Sequence, residues 1–319
     1  MEMTDISKLV GHILSNACLT DNSGLYHGKA GLSLSLFEAS KYLKNEELED
    51  KAFNLLQEAL ILKSGNLSFE NGWAGIGYVL CYLIENKFID ADFDEIFGEQ
   101  YEKIVKNLGD IEKHPERLLN MLQVIYFLSS ANRIKKADDR PKKIIQKIFE
   151  GLELFFIVQF QDFTDIHYIN DKMAVLRMYE TCLKLVNFAD YQYFSHSVLN
   201  DYVDLYRKGR LISSLGIGYQ LGMLARKNAM TQYDDVVNSH IVNGARNIHL
   251  NMLAFNEKLD ALKLISDVER SGIVRRELLP ELKNDDLLKT FNRNATPLGY
   301  KDGLARFILF CANQHVELL

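Results

Sequence analysis

The sequence predicts an all-α fold, and within that class an α/α toroid of seven helical hairpins with an inner and an outer ring of helices. Three observations carry this expectation. A short glycine motif recurs along the chain, amphipathic segments alternate with segments apolar nearly all round, and only four prolines interrupt 319 residues. Proline ends or kinks a helix, so its scarcity leaves room for many uninterrupted ones. Nothing in the chain reads as a linker, and residues 1–319 are expected to form one domain.

The motif comes first. Leu25-Tyr-His-Gly28-Lys-Ala-Gly31 returns as Phe69-Glu-Asn-Gly72-Trp-Ala-Gly75, sharing Gly-x-Ala-Gly. A third copy, Ser213-Ser-Leu-Gly216-Ile-Gly-Tyr, matches Gly75-Ile-Gly-Tyr of the second, and Tyr300-Lys-Asp-Gly303-Leu-Ala-Arg306 closes the series. With markers at positions 28, 72, 213 and 300, worn copies fit near Asn120, Tyr168 and Asn256, which makes seven units of 43 to 48 residues. A unit of that length holds two helices and two short connections.

Periodicity assigns the two helices. Between Glu46 and Leu62 the apolar positions Leu48, Ala52, Leu55, Leu56, Ala59 and Leu62 share one face, as on a surface helix. Ile76 to Leu83, just after a motif, is apolar nearly all round and predicts a helix buried on every side. Leu32-Ser-Leu-Ser-Leu36 alternates like a strand, but its continuation through Phe37 to Leu43 favours helix. A glycine inside a helix costs about 1 kcal/mol relative to alanine, so glycines recurring at one phase point to close packing. A phosphate loop would need a preceding strand and a different glycine spacing.

Composition limits the function classes. The formal charge of −6 offers no broad basic surface, so nucleic acid is excluded as an expected partner. Met1 to Ile6 lacks a secretory pattern and no apolar run approaches the ~20 residues of a membrane span, so the expected location is cytoplasmic with no membrane partner. Cys18, Cys81, Cys182 and Cys311 are far apart, form no C-x-x-C pair and read as buried reduced thiols. The basic stretch from Arg133 to Lys143 reads as a solvated loop around a turn at Asp138-Asp139.

The tandem Gly-x-Ala-Gly units at the starts of alternate helices, seven in number, resemble the lanthionine synthetase C-like family over nearly the whole chain. That resemblance implies a toroid whose central cavity holds zinc, which activates a peptide cysteine thiol for addition to a dehydrated serine or threonine. It also implies a cysteine just ahead of the fifth motif and a cysteine-histidine pair at the sixth as zinc ligands. Here the fifth is preceded by Lys208 to Ser214 without cysteine, and the sixth pair falls near Ala254-Phe255. Tyr26-His27-Gly28 imitates the family's Cys-His-Gly in a different unit. The family's acid-base histidine in the fourth motif corresponds to His167, which Asp165 or Asp171 could orient.

His167 and Asp171 are therefore the candidate catalytic residues. The candidate ligand-binding residues, expected on the rim formed by the inner-helix entrances, are His27, Lys29, Glu70, Asn71, Trp73, Ser213, Ser214, Lys301 and Asp302. Trp73, the only tryptophan, is placed there as an anchor for a partner, although packing in the core is the commoner use of an indole. Three readings follow. The first is a cofactor-free protein that binds a peptide substrate or a modification-enzyme partner. The second is a thioether-forming zinc cyclase with ligands relocated to His167, Cys182 or His249. The third is a carbohydrate-active α/α barrel using Glu70 with Asp171 or Asp302.

Overall fold

The computed structural model describes residues 3–61, 65–109, 122–279 and 297–313. Among these there is no strand, and thirteen α-helices follow one another along the chain. They are α1 (Met3–Asn16), α2 (Lys29–Leu43), α3 (Glu46–Ile61), α4 (Trp73–Glu85), α5 (Phe93–Leu108), α6 (Val124–Ile134) and α7 (Arg140–Gln161). After them come α8 (Ile169–Phe188), α9 (His196–Arg207), α10 (Leu215–Lys227), α11 (Asp234–Arg246), α12 (Phe255–Ser271) and α13 (Leu304–Ala312). None is long and apolar enough to cross a membrane.

Local chemistry sets the boundaries. The Asp92 carboxylate accepts hydrogen bonds from the N–H groups of Asp94 and Glu95 and so caps α5. Pro141 sits in the first turn of α7, where a missing N–H costs nothing. Gly272, at φ 61°, ends α12 in the left-handed conformation that glycine adopts without strain. The basic stretch is thus only partly a loop: Arg140 to Lys143 opens α7, and Arg140 bridges Glu102 of α5 to Asp138. Leu32 to Leu36 is helical, as its continuation indicated.

The helices that follow a motif are buried on every side in the first two units: α2 from Ala30 to Ser40 and α4 from Trp73 to Cys81. The intervening α3 buries only Leu48, Ala52, Leu55, Leu56 and Ala59, five members of the stripe read from its periodicity, while the sixth, Leu62, lies outside the described residues. Contacts between the motif-led helices run in chain order, α2 to α4, then α6, α8, α10, α12 and α13, and α13 packs back on α2. The order of contacts therefore returns to the helix where it began. Among the intervening helices, α5, α7, α9 and α11 touch in succession.

The motif loops repeat at atomic detail. The N–H of the first helical residue donates to the carbonyl oxygen seven residues back in three units: Lys29 to Asn22 (2.9 Å), Trp73 to Asn66 (2.9 Å) and Leu304 to Pro297 (2.8 Å). Gly28, Gly72 and Gly303 cap these helices with nearly the same extended backbone. The last copy is therefore marked by Gly303 rather than by position 300, with Arg306 where the first two copies have their second glycine. In the fifth unit the cap is Ser214, one residue after the expected marker. The worn copies near Tyr168 and Asn256 have their caps at Tyr168 and Ala254. Asn120 lies outside the described residues.

The loops also join one another. The N–H of Tyr26 donates to the carbonyl of Glu70 at 2.8 Å, and the N–H groups of Tyr300 and Lys301 donate to the carbonyl of Tyr26 at 2.8 and 3.2 Å. The last unit thus sits on the first as the first sits on the second. At the other end of these helices, the buried Glu38 carboxylate of α2 accepts from the hydroxyl of Tyr82 (α4) and from Asn313 Nδ2 (3.0 Å), just past α13.

Aromatic rings fill the space between the motif-led helices. Tyr26 meets Phe69 edge-on and stacks on Tyr300, and Phe69 touches Tyr78 and Tyr126. Phe188 closes on Tyr126 with ring centres 4.7 Å apart. Such edge-to-face pairs add to the burial of their large surfaces.

Candidate functional site

The candidate catalytic and ligand-binding residues lie at or near the ends where the motif-led helices begin, but they have different surroundings. His27, Glu70, His167, Asp171, Lys301 and Asp302 are exposed. Lys301 lies over the Tyr26 ring at 5.0 Å from its centre, and Asp302 accepts a hydrogen bond from Asn256 at 3.2 Å. His27 packs edge-on to Tyr26. No hydrogen bond links His167 to Asp165 or Asp171 among the described residues.

Other candidates turn inward. Lys29 reaches sideways to Glu58 of α3 at 2.5 Å, which holds it between two helices. Asn71 accepts from Asn22 Nδ2 at 3.2 Å and so ties the second motif loop to the first. Trp73 corrects the expectation of a rim anchor: it is only 8% exposed and meets Phe97 edge-on. As the first residue of α4 it follows the cap Gly72, and its indole tucks behind the loop against α5.

Ser213 and Ser214 belong to a partly buried polar cluster that joins the fifth unit to its neighbours. The Ser214 hydroxyl donates to Glu180 Oε2 of α8 (3.0 Å) and accepts from the N–H of Ile217 (3.3 Å), capping α10. Its backbone N–H donates to Nδ1 of His240 on α11 at 3.1 Å. The proton of the neutral imidazole therefore sits on Nε2, which faces the Tyr202 hydroxyl at 3.2 Å. The His240 ring stacks on Tyr206 with centres 3.9 Å apart, and the Tyr206 hydroxyl meets both Ser213 (2.8 Å) and Ser239 (2.7 Å).

Burial shapes the electrostatics of this cluster. His240 has no exposed surface, and desolvation lowers its pKa to about 4. Burial pushes the Glu180 carboxyl upward, with the Ser214 hydroxyl opposing. The hydroxyl of Ser214 thus faces a carboxylate while the imidazole is turned to a backbone N–H, so histidine is not placed to take its proton. The cluster fixes the junction of α8, α10 and α11. Ser214→Ala is expected to cost about 2 kcal/mol, through the lost cap and the unpaired Glu180 oxygen, as read from the urea midpoint.

The sequence reading missed Glu180, Tyr202, Tyr206 and His240. The signal for His240 was present: Val236, Val237, His240, Ile241 and Gly244 share the buried stripe of α11. No motif attaches to it, since its partners come from two other segments, α9 and the cap of α10. A second unread group is Arg306, 5% exposed, whose guanidinium bonds Asp260 of α12 beside Tyr26 and Tyr300.

The zinc set of the lanthionine synthetase C-like family does not fit the residues at the corresponding places. Ser214 is engaged by Glu180, and Phe255 packs edge-on against Phe307. Among the described residues, no three His, Cys, Asp or Glu side chains form a group that could hold a metal. Cys81 and Cys182 lie in the apolar core with thiols pushed well up by burial, far from the thiolate a metal requires. Cys311 is half-buried, with its pKa raised to about 12, and Cys18 is exposed.

No known family model and no curated protein matches this chain.

Proposed function

We propose that the chain is a metal-independent, lanthionine synthetase C-like α/α toroid that binds a peptide, or the enzyme modifying it, at the mouth formed by the motif loops. The motif-led helices make the inner ring and the intervening helices the outer ring. The observation that carries the reading is the junction at Tyr26. Its N–H and its carbonyl are used in turn, by the second unit and by the last, as closure of a ring requires.

Two further features favour binding over zinc-dependent cyclisation. The space between the inner helices is packed with Tyr26, Phe69, Tyr78, Tyr126, Phe188 and Tyr300, so a ligand is taken at the mouth. A relocated zinc site would need Cys182, His167 and His249 together. Cys182 is sealed in the core, while the two histidines are exposed at the entrances of the fourth and sixth units.

The test uses a fluorescent pool of random dodecapeptides and, separately, zinc chloride. Saturable peptide binding that unlabelled pool competes away is expected, together with no zinc retained after dialysis. One zinc per chain surviving dialysis, or no peptide binding, would overturn the proposal.

A further inference from the structure

The inner-helix entrances differ sharply from one part of the chain to another. Four large apolar side chains stand in solvent there: Tyr168 (74% exposed), Ile169 (70%), Ile212 (65%) and Met252 (84%). Tyr168 caps α8 and Ile169 begins it, while Ile212 and Met252 each lie two residues ahead of the caps Ser214 and Ala254 of α10 and α12. These three helices are successive neighbours. At the position of Ile212 and Met252, the seventh, first and second units carry Lys301, the buried Tyr26 and Glu70. Single exposed apolar residues are ordinary, but a run of them at the entrances of three adjacent units, at the cap and first residue of α8 and just ahead of the caps of α10 and α12, marks an interaction surface.

Charge sets its partner. Asp162, Asp165 and Asp171 surround Tyr168 and Ile169 in the sequence, all exposed and none in an ion pair among the described residues. Lys208 and Arg210, beside Ile212, are likewise exposed and without an ion pair among the described residues. A ligand crossing from α8 to α10 therefore meets negative charge first and positive charge second. Neighbouring helices pack about 8–10 Å apart, so the arc from Tyr168 to Met252 spans roughly 16–20 Å. A chain extended as a polyproline-II helix, rising about 3.1 Å per residue with three residues per turn, covers that in about six residues and brings every third side chain back to the same face, opposite a new helix.

We propose that this arc docks an extended peptide segment with an apolar residue at every third position, basic at the end over α8 and acidic where it reaches α10. The proposal rests on the peptide-binding reading and gives it a place and a sequence preference. Burial of the apolar side chains supplies the affinity, and the two charge groups fix direction and register.

The probe is a fluorescein-labelled nonapeptide, Lys-Lys-Leu-Ser-Glu-Leu-Ser-Ser-Leu, with the charge-exchanged Glu-Glu-Leu-Ser-Lys-Leu-Ser-Ser-Leu as its control. Fluorescence anisotropy at low salt should show the first binding at least about tenfold more tightly than the second. The double variant Ile212→Ser/Met252→Ser, with unchanged circular dichroism since both side chains face solvent, should lose about tenfold for the first probe. Asp162→Lys/Asp165→Lys should reverse the preference between probes. Equal binding of both probes, or no effect of the serine variant, would overturn the arc. If the random pool binds but ignores the serine variant, the arc is wrong and the peptide-binding reading stands. If neither pool nor probe binds, both fall.

Discussion

Gly31→Ala should cost the protein at least about 3 kcal/mol, although alanine in place of glycine ordinarily stabilises a helix by up to about 1 kcal/mol. A methyl group at this position would lie 2.0 Å from the carbonyl oxygen of Leu25 and 2.8 Å from Cβ of Tyr300. The first obstacle is backbone of its own motif loop and the second belongs to the last unit, so relief requires the first and seventh units to part. Gly75 repeats the arrangement, its added Cβ falling 2.0 Å from the Phe69 carbonyl and 2.9 Å from Leu25 Cβ. Urea unfolding of Gly31→Ala, Gly75→Ala and Gly11→Ala separates packing from propensity. Gly11 lies within α1 with nothing inside 4 Å of an added Cβ, and there alanine should gain up to about 1 kcal/mol. A Gly31→Ala midpoint equal to that of the unmodified protein would mean that the seam between first and last units is not closed in solution.

The same glycines explain how much of the fold was legible in the sequence. Close approach at a fixed phase left a visible mark, Gly-x-Ala-Gly, and the stripe of α3 and the all-round burial of α4 followed from hydropathy. The register of the last copy was misread because Arg306 replaces its second glycine, leaving Gly303 as the only glycine of that motif. Trp73 was placed on the rim for a similar reason. Sequence puts it one residue past the cap, but not which way the indole turns, and it turns onto Phe97. The polar cluster was the least legible, because hydrogen bonds such as Ser214 to His240 join segments 26 residues or more apart and no local spacing records them. The charges at the entrances of the fourth and fifth units were written in the sequence, but only the succession of α8, α10 and α12 brings those entrances side by side.

His240 gives the second large effect, a loss of stability in mild acid. Its imidazole is buried and neutral, with a pKa of about 4 against the ordinary 6.5 that it regains on unfolding. Between those values the unfolded chain binds a proton that the folded one refuses, so the contribution is fully present above pH 6.5 and declines as pH falls toward 4. From pH 7 to pH 5 the decline attributable to this group is about 2 kcal/mol, and it approaches about 3 kcal/mol near pH 4. The other ionisable group close to the junction works in the opposite direction. Glu180 has a raised pKa, so its effect on stability grows more favourable as pH falls through its folded value, and it partly masks the histidine. His240→Phe retains an aromatic ring to stack on Tyr206 while removing the titration, at the cost of leaving the N–H of Ser214 and the hydroxyl of Tyr202 without their partner. The variant should be less stable than the unmodified protein at pH 7, and the gap should shrink by about 2 kcal/mol at pH 5. A constant gap across that range, measured by urea unfolding, would mean that His240 is solvated or charged in the folded protein and that the α8, α10 and α11 junction is open to water.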